Sequence, residues 1–473
     1  MSHNADARNP TMNELGPLDA GFMELEDTDQ HVSASIGAVA ILAGTPGHRE
    51  DFIDRLTRRV EVNARLRQRI RRGRWDVTAP AWVADPDFDL GHHLTWAALP
   101  RPQDEAMLWE LTANTMERRL DRDHPLWHLT VVEQLTGDRW AVILTAHHSM
   151  VDGVSGISLL QSICDPPTRE AGSAPVETDA GTGSADSAPV DWQRLLRDGL
   201  ATASRAPGLM AQAPRAMVRI AQGMAPLIRN VLDPRLGSSL NGPIGRQRRY
   251  AVARVRLDEI ERVRKVLGGT VNDVALAAVA AALRAVLLAR GERPGPDSVR
   301  VLIPVSTRSP RVSGQLDNRI SLMLPALPVD LDDPVDQFDA VREQMDGLKS
   351  GGESGAGQAL IALAGLVPFA PVAWAVRTAL RYPQHGVAAL ATNVPGPAHT
   401  QRLFGADMLE VFPFAPIAMR LRIGVAMLSY HGTLNFGITG DYDGAPDIDL
   451  VAQTIPVAVH RLLERAENQS ARR

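Results

Sequence analysis

The densest chemistry in the chain lies at residues 147–153. There His147-His148-Ser149-Met150-Val151-Asp152-Gly153 follows the apolar run Ala141 to Ala146. With 13 histidines in 473 residues, an HHxxxDG match arises by chance on the order of 10⁻³ times, so the cluster counts as a signal. An apolar run of this length reads as a strand, and the loop beyond a strand is a usual place for reactive side chains. If strand geometry persists, His147 and His148 point to opposite faces, so one of them can meet a substrate and the other is structural. An imidazole with its unperturbed pKa of about 6.5 is largely neutral near pH 7 and suits the removal of a proton from an alcohol. Asp152, four residues on, could orient that imidazole directly or hold the loop from behind through an ion pair. Gly153 permits a backbone path that a side chain would forbid.

Other chemistries fit less well. Adjacent histidines on a strand diverge and no third cluster of ligands stands out, which argues against a metal site. His92 and His93 form a second pair with no following aspartate and read as surface or structural residues. The chain has no G-x-S-x-G elbow. Its single cysteine, Cys164, stands at the edge of a polar linker with no evident base, so a covalent acyl-enzyme is disfavoured.

The elements that must position these residues can be read from periodicity. Strands are expected at 31–42, Trp127 to Leu135 and Trp140 to Ala146, the last two joined by a turn at Thr136, Gly137 and Asp138. Helices are expected at 49–70, where Phe52, Leu56 and Val60 share a face, at 104–119 and at 155–163. A later segment gives strands at 248–256, 299–304, 319–327, 388–394, 424–430 and 433–440. Its helices fall at 257–266, 271–290, 335–349 and 448–465. Strands and helices in both halves predict two α/β domains of similar size. The boundaries are an N-terminal domain at 1–164, a Pro/Gly/Ser-rich flexible linker at 165–190, a basic amphipathic helical connector at 191–246 and a C-terminal domain at 247–473.

Composition narrows the class. A formal net charge of −5 excludes nucleic acid as an expected partner. The polar N-terminus carries no apolar signal region, which points to the cytoplasm. Arginines alternate with apolar residues through 191–236, as in a helix packed between domains or one lying on anionic lipid. Residues 354–376 carry no charge, yet Pro368 and Pro371 interrupt them. A buried or lipid-contacting helix pair is expected there rather than a membrane span.

The motifs resemble those of the wax ester synthase/diacylglycerol acyltransferase family, most of all its mycobacterial triacylglycerol synthases. Besides HHxxxDG, the likeness rests on Pro17-Leu18-Asp19-Ala20, Pro125-Leu126-Trp127 and Leu240-Asn241-Gly242-Pro243. It continues through Asn272-Asp273, Pro304-Val305-Ser306-Thr307-Arg308 with Asn318 and Ser321, and Thr392-Asn393-Val394-Pro395-Gly396-Pro397. Ser429-Tyr430-His431-Gly432 and Gly440-Asp441 close it. Motifs in this order span nearly the whole chain, apart from 165–190.

The resemblance implies two domains like chloramphenicol acetyltransferase, the fold of coenzyme A-dependent acyltransferases, with a tunnel between them. It implies His148 as general base with His147 supporting, and Asp152 as a structural residue paired with an arginine from the other half, for which Arg308 is the candidate. Asn272, Asp273, Asn393, Pro395 and Gly396 are the expected substrate-binding positions, although Asn272 and Asp273 also suit a helix cap. Trp127 is expected to pack beneath the reactive loop. The implied reaction needs no cofactor. Acyl-CoA is the donor, diacylglycerol or a fatty alcohol the acceptor, and transfer is direct through an oxyanion stabilised by backbone N–H groups or Asn272. An acceptor of this kind implies peripheral association with the inner face of the plasma membrane or with lipid droplets. The alternatives are a condensation domain or polyketide acyltransferase of the same fold, which would lack the PLW and NVPGP elements together, and an acyl carrier that would need neither His148 nor Asp152.

Overall fold

Strands dominate where apolar residues alternate or run continuously, and two mixed six-stranded sheets result. The computed structural model describes residues 13–72, 80–151, 153–166, 238–306, 320–350 and 384–471. The first half supplies β1 (Asn13–Glu14), α1 (Pro17–Thr28), β2 (Ser35–Ala43), α2 (Arg49–Val62), β3 (Gln68–Arg71), β4 (Ala81–Ala84), β5 (Leu94–Ala97), α3 (Glu105–Met116), β6 (Trp127–Leu135), β7 (Arg139–His147) and α4 (Gly153–Ile163). The second half begins with β8 (Arg248–Arg256), α5 (Leu257–Leu267), α6 (Val271–Ala289), β9 (Val301–Ser306), β10 (Ile320–Met323) and α7 (Pro334–Ser350). It ends with β11 (Ala389–Val394), β12 (Arg402–Leu403), β13 (Ala406–Phe414), β14 (Ile423–Tyr430), β15 (Thr433–Asp441) and α8 (Ile448–Ala471).

The N-terminal sheet has the order β12-β13-β2-β7-β6-β5 and the C-terminal sheet β10-β9-β11-β14-β15-β8, with a small β1-β4-β3 sheet apart. The expected C-terminal domain, 247–473, therefore lends β12 and β13 to the N-terminal sheet. Both halves belong to one compact unit, Met1–Asp165 with Ile228–Arg473. The remaining unit, Pro166–Leu227, and the uncharged stretch at 354–376 lie, apart from Pro166, outside the described residues. The basic connector does so up to residue 237.

β13 escaped prediction for a physical reason. Pro413 argues against a central strand, because proline cannot donate to a ladder. It is tolerated because the end of β13, from Val411 to Phe414, is bordered on one side by β2 and on the other, together with Ala415 just beyond it, by side chains of the opposite lobe. Asn435 Nδ2 donates to Val411 O (2.9 Å), Tyr250 Oη to Pro413 O (2.8 Å) and Thr439 Oγ1 to Ala415 O (3.1 Å). Gly437 lies between, and a Cβ there would overlap the Pro413 carbonyl and the Tyr250 hydroxyl. Side-chain donors from β8 and β15 thus join the sheets where a strand edge would otherwise be unsatisfied.

The C-terminal core is organised around α6. Thr270 caps it: Thr270 Oγ1 accepts from Asp273 N, and the Asp273 carboxylate accepts from Thr270 N (2.8 Å). This is the capping-box arrangement with aspartate in the return position. Asp273 is thereby committed to the helix start, and the cap itself is Thr270 rather than Asn272 or Asp273. α6 is long and apolar enough to cross a membrane, but 67% of its most apolar window is buried inside the protein, as befits a core helix.

Asn435→Leu should destabilise the fold by about 1–3 kcal/mol, the cost of leaving a buried carbonyl without its donor. Gly437→Ala should cost more, because backbone must move. Urea unfolding monitored by tryptophan fluorescence would read both. An unchanged midpoint for both variants would remove the β13–β15 contact as the join between the sheets.

Candidate active site

β7 leads into the HHxxxDG loop, and its burial explains which histidine goes where. Trp140, Val142, Leu144 and Ala146 belong to one apolar core, while Ala141 and Ile143 belong to another. β2 divides in the same way, with Ile36, Ala38, Ala40 and Leu42 on one side and Val39 and Ile41 on the other. Successive side chains alternate across a sheet, so His148 continues the row of Leu144 and Ala146, and His147 the opposite row. Leu144, Ala146 and His148 all line one cavity of about 370 Å³.

The cavity lies between the two sheets. Its wall includes Ile36, Ala38 and Ile157 from the first half and Leu302, Leu390, Phe414 and Met427 from the second. Among the described lining residues, only His148, Thr392 and Asn393 carry polar side chains. They come from opposite halves of the chain. A largely apolar pocket with a few convergent polar groups is the usual form of a small-molecule site.

Helix α1 braces the loop. Phe22 stacks on the His148 ring with centroids 3.7 Å apart and planes at 14°. His148 N donates to Ala34 O (2.9 Å), and Ala34 N donates to Glu26 Oε1 (3.0 Å). Phe22 and Glu26 are one helical turn apart and so share a face. His147 is almost fully buried; Ser149 N donates to its Nδ1 (3.1 Å), and its Nε2 stands 3.7 Å from Glu26 Oε2. Arg122 Nη2 donates to the same carboxylate at 2.5 Å. Burial pushes Glu26 upward, but the His147 imidazole, the Ala34 N–H and Arg122 outweigh it and hold the carboxyl down at about 2. Phe22 and Glu26 were not among the sequence-read candidates. The signal available was their helical spacing behind Pro17, a residue that suits a helix start.

The other expected site residues separate. Asn393 lines the cavity. Asn272 does not; its side-chain oxygen accepts from Asn393 Nδ2 at 3.4 Å, so it supports the lining residue rather than reaching the space itself. Pro395 is exposed, and Gly396 is pinned by its N–H to Ser429 Oγ (3.0 Å), in a spot where a Cβ would overlap the Ser429 carbonyl. Neither lines the cavity. Gly153 opens α4. Asp152 and Arg308 lie outside the described residues.

Trp127 is buried in β6 opposite Ala146, with Nε1 donating to Leu66 O (2.8 Å). His93 stacks on it with centroids 4.7 Å apart and bonds its carbonyl through Nδ1 (2.9 Å). Burial, against the help of that carbonyl and with three neighbouring histidines, lowers His93 to about 4 and keeps it neutral. His92 is exposed and stacks on His124. Cys164 is buried, and burial together with Asp165 pushes its thiol up to about 12, which suits an inert packing residue.

Comparison with known proteins bears on the whole chain. Residues 15–275 match the model of the wax ester synthase/diacylglycerol acyltransferase catalytic domain, and residues 316–462 that of the WS/DGAT C-terminal domain. The "Probable diacyglycerol O-acyltransferase tgs1" of Mycobacterium tuberculosis is 43% identical over 98% of this chain and 98% of its own length. Among solved structures, the wax ester synthase/diacylglycerol acyltransferase from Marinobacter aquaeolei VT8 superposes with a TM-score of 0.66, at 22% identity, covering 96% of this chain and all of that one. The first condensation domain of the CDA synthetase has a TM-score of 0.60 at 13% identity, with 97% of each chain covered. At these identities the two structures speak for the fold: a mixed α/β architecture shared with condensation domains.

The depressed Glu26 carboxyl makes a pH prediction. Its folded value lies below the ordinary 4.5, so the stabilisation is complete above about pH 4.5 and is lost as pH falls towards 2. The lowering corresponds to about 3 kcal/mol. Glu26→Gln should therefore be less stable than the parent near pH 7 by roughly that amount, and the gap should close on acidification. Denaturant midpoints compared between neutral pH and pH 3 would test this; a gap independent of pH would refute it.

Proposed function

The chain belongs to the wax ester synthase/diacylglycerol acyltransferase family, and from this premise we propose that it makes triacylglycerol from diacylglycerol and a fatty acyl-CoA by direct transfer, with His148 as general base. Long-chain alcohols are the second acceptor class, giving wax esters. The observation that carries the reading is the imidazole of His148 in an apolar cavity whose other polar groups, Thr392 and Asn393, enter from the opposite half.

His148 takes the proton of the acceptor hydroxyl as its oxygen attacks the thioester carbonyl. The tetrahedral oxyanion needs donors. Asn393, held by Asn272, replaces Asn272 as the side-chain candidate for that task, alongside backbone N–H groups. When the intermediate collapses, the C–S bond breaks, the new ester stays, and the proton on His148 goes to the departing thiolate of coenzyme A. Two features support transfer without a covalent acyl-enzyme. Cys164 is buried with its thiol raised, and the chain lacks a G-x-S-x-G elbow. Water would compete as acceptor, and the apolar wall keeps it scarce. His147 acts through the loop: bonded to Ser149 and facing Glu26, it fixes the strand end from which His148 projects.

The acceptor is a membrane lipid, so in this reading the protein works in the cytoplasm, peripherally on the inner face of the plasma membrane or on lipid droplets. The arginine-rich 191–236 segment is the candidate contact. Asp152 and Arg308 remain the candidate structural ion pair of the motif.

Radiolabelled acyl-CoA supplied with diacylglycerol should yield triacylglycerol with the parent protein, and His148→Ala should lower the rate by roughly 10²–10⁴, the usual worth of a general base. Equal neutral lipid from both proteins would sink the assignment. Phe22→Leu should lower kcat, because the ring that stacks on His148 holds the base in position at the cavity wall; steady-state kinetics with acyl-CoA would read it.

A further inference from the structure

Gly156 lies within α4, where glycine is among the poorest choices for a helix. Two structural reasons usually justify a glycine there: a left-handed backbone or a close approach of other atoms. Neither applies. Its φ lies outside the left-handed region, and the nearest atom of the described residues to a Cβ built there is Ile36 Cδ1 at 3.8 Å, an ordinary contact. Gly37, also in the cavity wall, is the opposite case, since a Cβ on it would overlap the Leu144 carbonyl and the Phe414 ring. Among the described residues, packing therefore demands Gly37 but not Gly156.

The space beside Gly156 belongs to the cavity that His148 lines. Its neighbours in that wall, Ile36, Val151, Ile157 and Leu159, are apolar, so the group that suits this space is hydrocarbon. We propose that Gly156 is a specificity-determining residue: its missing side chain leaves room for a substrate hydrocarbon chain and sets how long a chain the cavity accepts. The inference rests on the acyltransferase reading above. The hydrocarbon belongs either to the acyl donor or to the acceptor, and the two arms of the test tell them apart.

Gly156→Leu and Gly156→Ala would be assayed with saturated acyl-CoAs from butyryl to stearoyl against one acceptor, then with primary alcohols of graded length against one acyl-CoA. In one series Gly156→Leu should lose roughly tenfold or more with the long members and keep its rate with the short ones, since a few methylenes in an apolar pocket carry discrimination of that order. The affected series identifies the chain. Gly156→Ala should show a smaller shift in the same direction and a raised thermal midpoint, because the helix gains a better former at no steric cost. A proportional loss at every length in both series, or no change in either, would overturn the proposal. Displacement of a bound fluorescent fatty acid by saturated fatty acids of graded length reads Gly156 without turnover. A parent protein that binds chains normally but makes no neutral lipid would instead count against the acyltransferase reading.

Discussion

A strand with no solvent face must divide its side chains between two apolar cores, and β7 does so residue by residue. The consequence reaches past the strand's end. The row of Trp140, Val142, Leu144 and Ala146 delivers His148 into the cavity, and the alternate row delivers His147 into the interior. A shift of one residue would exchange the two imidazoles, because side-chain period in a sheet is two. The pairing of β7 with β2 on one side and β6 on the other, continued by His148 N to Ala34 O, holds that register.

Helix α1 turns this register into a rigid site. A buried carboxylate is costly unless it is paired and hydrogen-bonded. Glu26 meets that condition through Arg122, the Ala34 N–H and the imidazole of His147. The same helix presents Phe22 to the flat face of His148. One helix face thus binds the inward histidine electrostatically and the outward histidine by stacking. The polar group that costs most to bury is the one that fixes the loop, while the described lining of the cavity carries few polar side chains.

Much of this was legible in the sequence, and the rest was hidden for identifiable reasons. The HHxxxDG loop, the flanking strand and the long helix at 271–290 follow from local periodicity and motif chemistry. Divergence of the two histidines followed too, but choosing between them from residues alone required knowing which row of β7 faced a cavity, a fact of tertiary packing. Asn272 and Asp273 were read together as binding positions, yet one supports Asn393 and the other closes a capping box with Thr270. Adjacent polar residues at a helix start have distinct directions that spacing does not reveal. β13 was missed because Pro413 disqualifies it by the local rule, while the compensation, donors from Asn435, Tyr250 and Thr439, lies in elements distant along the chain.

The β13 crossing also bears on chemistry. His148 hangs from the N-terminal sheet, whereas Thr392 and Asn393 hang from β11 of the C-terminal sheet. Their mutual placement depends on how the sheets are held together, and β13 is the segment common to both problems. It is paired to β2 in one sheet, held by side chains from β8 and β15 of the other, and supplies Pro413 and Phe414 to the cavity wall, with Ala415 following directly. Catalytic groups that lose even an ångström of alignment forfeit much of the advantage of bringing two reactants together. It follows that the contacts of Asn435, Tyr250 and Thr439 help set the geometry at His148, although none of the three lines the cavity.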